Sequence, residues 1–272
     1  MKIVALAVLA VGLFASAARA VDVTACGQVV AVAQVGMLTA DLDCSGAASG
    51  SQAVVLQHRA SLQLNGHSIK SPPAGASVSC AGTRCAVAGP GTLLSSLLDP
   101  GVGIAALKNV TVTGNITIDS NSVGISASDG RVTVSDTFLS NNGDGIIAKK
   151  IKAAMLFVRD SERVGIVALK TIRGDHIEVR DSGWAGIQTS KFKITELIAT
   201  TNGFAGTVVG GGIFATRGGV LTDSVVSANV LDGASADVVT GRLPVIVNTS
   251  CDVSVMLTDT GPAGTWGVCS AD

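Results

Sequence analysis

Between Lys149 and Lys193 the chain places ten basic residues: Lys149, Lys150, Lys152, Arg159, Arg163, Lys170, Arg173, Arg180, Lys191 and Lys193. Five acids share that stretch, Asp160, Glu162, Asp175, Glu178 and Asp181. The whole chain has a formal net charge of −1, so its cations are concentrated rather than abundant. A concentrated row of cations suits a polyanion, whose charges also recur along a line. The overall balance argues against a general nucleic-acid binder. The competing reading is a solvated face that keeps the protein soluble and blocks edge pairing.

Three smaller constellations offer other chemistry. Arg159-Asp160-Ser161 recurs as Arg180-Asp181-Ser182. If the two copies stack, Asp160 and Asp181 present oxygens to a hard cation such as Ca²⁺. Otherwise each Asp pairs with its Arg neighbour or caps a turn. Arg173-Gly174-Asp175-His176 gathers a base, an acid and an imidazole. His176 there is a candidate general acid or base, set against an ordinary solvated turn residue. Trp184 lies among the cations and offers a flat face to a sugar ring, or covers an edge of the core.

A repeat must position these groups. Glycine followed by an apolar residue recurs at Gly103-Ile104, Gly124-Ile125, Gly145-Ile146, Gly165-Ile166, Gly186-Ile187, Gly212-Ile213 and Gly233-Ala234, in steps of 21, 21, 20, 21, 26 and 21 residues. Such a period signals a solenoid or an array. The intervening runs are β-branched and alternate, as in Val110-Thr111-Val112 and Val132-Thr133-Val134, which reads as strand. Ser140-Asn141-Asn142-Gly143 and Asp181-Ser182-Gly183 read as turns. A leucine-rich repeat of this length would need its Leu-x-x-Leu-x-Leu pattern, which is missing. The expected fold is all-β, a right-handed parallel β-helix whose coils stack at about 4.8 Å. Upstream, Leu62-Gln63-Leu64, Ala86-Val87-Ala88 and Val110-Thr111-Val112 step by 24 residues, implying wider coils.

In that register, Lys108, Asp129, Lys150, Lys170, Lys191 and Arg217 each follow a repeat glycine by five residues. Lys152, Arg173 and Lys193 form a second column. Three successive coils then present two cations each. The expected ligand-binding set is Lys150, Lys152, Lys170, Arg173, Trp184, Lys191, Lys193 and Arg217. Four residues before the glycines come Ser120, Asn141, Ser161 and Ser182, with Asn229 before the last, a polar column that can satisfy backbone groups at a bend. The 26-residue step reads as a loop inserted over Gly206–Gly211.

The first twenty residues read as a signal peptide: Lys2, an apolar run from Ile3 to Phe14, then Ala18-Arg19-Ala20 as the cleavage site. Residues 21–272 form one expected domain, exported to the periplasm, the cell surface or the medium, with no transmembrane segment after cleavage. The six cysteines fit an oxidising compartment. Their connectivity is open, and nearness in the chain favours Cys26–Cys44, Cys80–Cys85 and Cys251–Cys269. Their spacings are not those of zinc ligands. Solenoid ends expose strand edges and need caps, here expected near 26–44 and 251–269. Aromatic residues total 3%, so Val, Ile, Leu and Ala must fill the core.

Leu38-Thr39-Ala40-Asp41-Leu42-Asp43-Cys44, Leu62-Gln63-Leu64-Asn65-Gly66-His67-Ser68-Ile69 and Gly89-Pro90-Gly91-Thr92 resemble secreted bacterial right-handed parallel β-helix proteins of the pectate-lyase-like group. The resemblance covers nearly all of 26–269. It implies polysaccharide lyases, hydrolases, epimerases and adhesins alike, and fold does not select among them. In the lyases of the group, Ca²⁺ and acidic residues hold the substrate carboxylate while Arg or Lys removes a proton. On that model Lys170, Arg173 or Lys191 is the base. The hydrolase signatures Asn-Thr-Asp, Asp-Asp and His-Gly are absent, as is the Asp-Pro-His-Glu of alginate epimerases. The leading expectation is a non-catalytic β-helix that binds an anionic polysaccharide or acts at the cell surface, without an obligatory cofactor. The alternative is a lyase or uronate epimerase, with Ca²⁺ as its cation.

Overall fold

The computed structural model describes residues 19–95, 99–203, 210–259 and 261–272. Its strands stack in parallel into a β-solenoid of about 10 turns, the parallel β-helix that the repeat predicts. No helix occurs among the described residues.

Each coil crosses three faces in turn. Face 1 carries the column Ile104, Ile125, Ile146, Ile166, Ile187, Ile213. Face 2 follows with Val110, Val132, Ile151, Ile172 and Phe192. Face 3 closes the coil with Ile118, Leu139, Val158, Val179, Ala199 and Val226. All these side chains point inward and are buried, forming one cluster from Val23 to Cys251. Alternation turns the intervening residues out to solvent. In the middle coils the strands are continuous, at Val123–Ser140, Asp144–Arg159, Ile166–Arg180 and Ala185–Thr200. A single left-handed residue bends each one between faces 2 and 3: Asp136, Met155, His176 and Glu196, with φ of 50–55°.

Close approach explains the repeat glycines. A Cβ on Gly145 would lie 2.7 Å from Val158 Cγ1 and 2.2 Å from the carbonyl oxygen of Gly165, one coil on. Gly103, Gly124, Gly165, Gly186 and Gly212 face comparable crowding. The seventh repeat departs from the expected register. Ile213 pairs with Val238, not Ala234. Gly233 instead turns a small antiparallel hairpin of Val230–Leu231 and Ala234–Ser235. This hairpin helps form a second apolar cluster, with Phe214, Leu231 and Val239.

The polar column is also shifted. Ser120, Asn141, Asp160, Asp181 and Thr201 are the left-handed bend residues between faces 3 and 1. The buried ladder is the next residue in each coil: Asn121, Asn142, Ser161, Ser182, Asn202 and Asn229. Counting back from glycine misplaces the first two because Asn142 is three residues from its glycine while Ser161 is four. The ladder ends at Asp237, which accepts from Asn229 Nδ2 at 2.9 Å. Burial, only partly offset by hydrogen bonds, pushes the Asp237 carboxyl above its ordinary value.

The disulfides are Cys26–Cys44, Cys80–Cys85 and Cys251–Cys269. Toward the C-terminal end, Ser254–Thr258 and Gly261–Thr265 form an antiparallel hairpin over face 1. Trp266 Nε1 donates to the Thr240 carbonyl at 3.3 Å there. The expected leader lies outside the described residues up to position 18, and Ala20 opens the first strand, Ala20–Val23. Residues 206–209 of the expected insertion also lie outside them. No helix of the described residues is long and apolar enough to cross a membrane.

Candidate functional site

Parallel stacking converts the spacing of the cations into adjacency on face 2. Lys152 pairs in register with Arg173, and Arg173 with Lys193. All three are exposed and point outward, about 4.8 Å apart along the axis. This column stands where the sequence places it.

The other column is composed differently. Arg131 pairs with Lys150, Lys150 with Thr171, and Thr171 with Lys191. Arg84 and Asn109 continue it toward the N-terminus. Lys170 precedes the ladder position, because two residues, Leu169 and Lys170, span a bend that Lys149 alone spans one coil earlier. Asp129 and Arg217 likewise sit in the bend between faces 1 and 2, not in the ladder. A fixed count from glycine fails wherever that bend changes length. Arg84 and Arg131 belong to the site and escape the glycine count. Their outward positions two residues before Ala86 and Thr133 would have found them.

A cleft of about 700 Å³ lies along this bend and the first column. Arg84, Arg131, Lys149, Lys150 and Lys170 line it, with Asp129 as the one carboxylate of the lining. The column through Arg84, Arg131 and Lys150 therefore borders a concave surface, whereas Lys152, Arg173, Lys191 and Lys193 lie outside its lining.

Ion pairing separates the ten central cations into two groups. Arg159 and Arg180 both bind Glu178 on face 3, and Arg163 binds Asp144. Lys149, Lys150, Lys152, Lys170, Arg173, Lys191 and Lys193 form no ion pair among the described residues. Arginines with structural partners thus lie away from face 2, and face 2 keeps its charge for solvent or a ligand.

The remaining candidates lie elsewhere. Asp160, Asp181 and Trp184 occupy the bend between faces 3 and 1, the one bend that does not border face 2. Asp160 and Asp181 share a bend position in successive coils, and Asp181 accepts from Thr201 Oγ1 at 2.6 Å. Trp184 is 44% exposed, and its backbone N–H donates to the Arg163 carbonyl at 2.8 Å. It is separated from the lysine columns that surround it in sequence. His176 bends the chain between faces 2 and 3, with Asp175 Oδ1 3.2 Å from Nδ1 and Glu196 against Nε2.

The arrangement defines a parallel β-helix with a basic face. Compared with family models, curated proteins and solved structures, the chain matches none. The resemblance to bacterial pectate-lyase-like proteins has no match behind it, and the structure shows the parallel β-helix alone.

Proposed function

We propose that this is an exported β-helix protein that binds an anionic polysaccharide along face 2 or acts through it at the cell surface. The supporting observation is the in-register column Lys152–Arg173–Lys193, free of ion pairs among the described residues and flanked by Lys150 and Lys191, of which Lys150 lines the basic cleft. A linear polyuronate carries one carboxylate per sugar and meets such a track with many weak contacts, each sensitive to salt. Three disulfides accord with an oxidising destination. The test is retention on immobilised alginate, pectate and a sulfated glycosaminoglycan at low salt. Passage through all three columns without delay overturns the proposal.

The cleft supports a second reading, a lyase or uronate epimerase. Lys170 stands there with Lys149 and Lys150, so a candidate base lies among cations that would hold a uronate carboxylate. Incubation with each polymer, with and without Ca²⁺, follows the absorbance of unsaturated products and the ratio of uronate epimers. Turnover would replace the binding role with catalysis.

A further inference from the structure

Asp175, His176 and Glu196 come together across two coils at the bend between faces 2 and 3. Asp175 and His176 are consecutive, and Glu196 occupies the bend position one coil on. One carboxylate oxygen of each acid and a ring nitrogen of His176 all lie within 4.8 Å of one another. The three side chains are 47–57% exposed, so rotation alone can converge them. Neither acid has a Lys or Arg partner among the described residues; their only ionic neighbour is His176. Asp223 takes the same bend position in the following coil and adds negative charge. Around His176 the bend therefore carries three carboxylates, Asp175, Glu196 and Asp223, directly beside the cationic face.

We propose that Asp175, His176 and Glu196 bind one first-row divalent transition metal ion, with Zn²⁺ the representative case. Imidazole with carboxylates is a donor set for zinc and its neighbours, at about 2.0–2.2 Å per bond. Ca²⁺ takes 6 to 8 oxygens, roughly, and discriminates against a nitrogen donor. Three protein ligands leave a zinc ion one open position, which faces solvent here and accepts water or an external carboxylate. The site is independent of the polysaccharide reading and distinct from Asp160 and Asp181.

The test is calorimetric titration of the full, untagged protein with Zn²⁺, alongside Ca²⁺ as a hard-cation control. One Zn²⁺ per chain is expected, with a rise in melting temperature, and no comparable response to Ca²⁺. His176→Asn removes the imidazole while keeping a residue that tolerates the left-handed bend. It and Glu196→Gln should each weaken Zn²⁺ binding by about tenfold or more. His67→Asn, in the separate His67–Asp41 pair, should leave it unchanged. Far-ultraviolet dichroism checks that each variant is folded, and Co²⁺ absorption gives a second readout of the ligand set. Absence of Zn²⁺ uptake up to about 1 mM overturns the proposal. So does uptake that His176→Asn leaves intact or that His67→Asn abolishes.

Discussion

Asn202 donates its side-chain amide to Asn229 Oδ1 at 2.9 Å across a coil 27 residues long. Asn121 makes the same bond to Asn142 at 3.2 Å across only 21 residues. The longer coil thus leaves the ladder in register. Asn202 is buried and also accepts from the Ser182 N–H at 3.1 Å and donates to the Val179 carbonyl at 3.2 Å. Asn202→Ala strips partners from groups that water cannot reach. The expected loss is about 1–3 kcal/mol of unfolding free energy, read by urea denaturation. A change below about 0.5 kcal/mol would mean that the ladder merely accompanies the stack.

The glycine column makes a steric prediction. Gly145→Ala puts a methyl between Val158 and the Gly165 carbonyl, backbone that cannot retreat without displacing the next coil. Destabilisation of about 1–3 kcal/mol follows from overpacking alone. Gly46→Ala, where a Cβ meets nothing within 4 Å, is the control and should melt with the parent. Equal melting of all three proteins would refute the crowding account.

Much of this was legible because stacking makes period equal adjacency. The Ile104-to-Ile213 column and the Lys152–Arg173–Lys193 column follow from counting. What was lost lies where bends change length. Lys170 leaves its column through one extra residue, and Ser120 and Asn141 give way to Asn121 and Asn142 for the same reason. Gly233 mimics the repeat in a hairpin of its own. Trp184 is near the lysines in the letters, but a linear string does not say which of three bends a residue occupies. The Asp175–His176–Glu196 meeting needs two coils in exact register, and only part of it, Asp175-His176, is local.

Asp119 supplies a pH test. Burial, the largest single influence, pushes its carboxyl up, but hydrogen bonds from Ser140, Asn141 and Ser120 together outweigh it and hold the group below 3.8. A folded value below the unfolded one means stability that is full above the unfolded value and lost as pH falls through the folded one. Asp119→Asn should therefore lower stability at neutral pH by about 1 kcal/mol, discounted for partial exposure. The gap to the parent should close on acidification below 3.8. A gap that persists unchanged there would assign the loss to packing instead of charge.

The disulfides should differ in worth. Cys251–Cys269 spans 18 residues and Cys80–Cys85 only 5. Loop entropy gives about 3 kcal/mol for the former and about 2 kcal/mol for the latter. The terminal bond also holds residues beside the last coil, where Ser270 donates to the Cys251 carbonyl at 3.0 Å. Cys251→Ser/Cys269→Ser should melt lower than Cys80→Ser/Cys85→Ser by thermal denaturation. The reverse order would show that the C-terminal segment adds little to the cap.

The triple variant Lys152→Gln/Arg173→Gln/Lys193→Gln tests the basic face. Like charges about 5 Å apart in water repel weakly, by under ~1 kcal/mol per pair. Removing them should leave melting unchanged or slightly raised while retention on an acidic polysaccharide column falls sharply. Arg180→Gln removes a cation of the same segment that already pairs with Glu178 on face 3, and should elute with the parent. Trp184→Ala, at the bend remote from face 2, should do the same. If the triple variant elutes with the parent, or Arg180→Gln shifts as far as it does, retention reflects net charge and not the ordered columns of face 2.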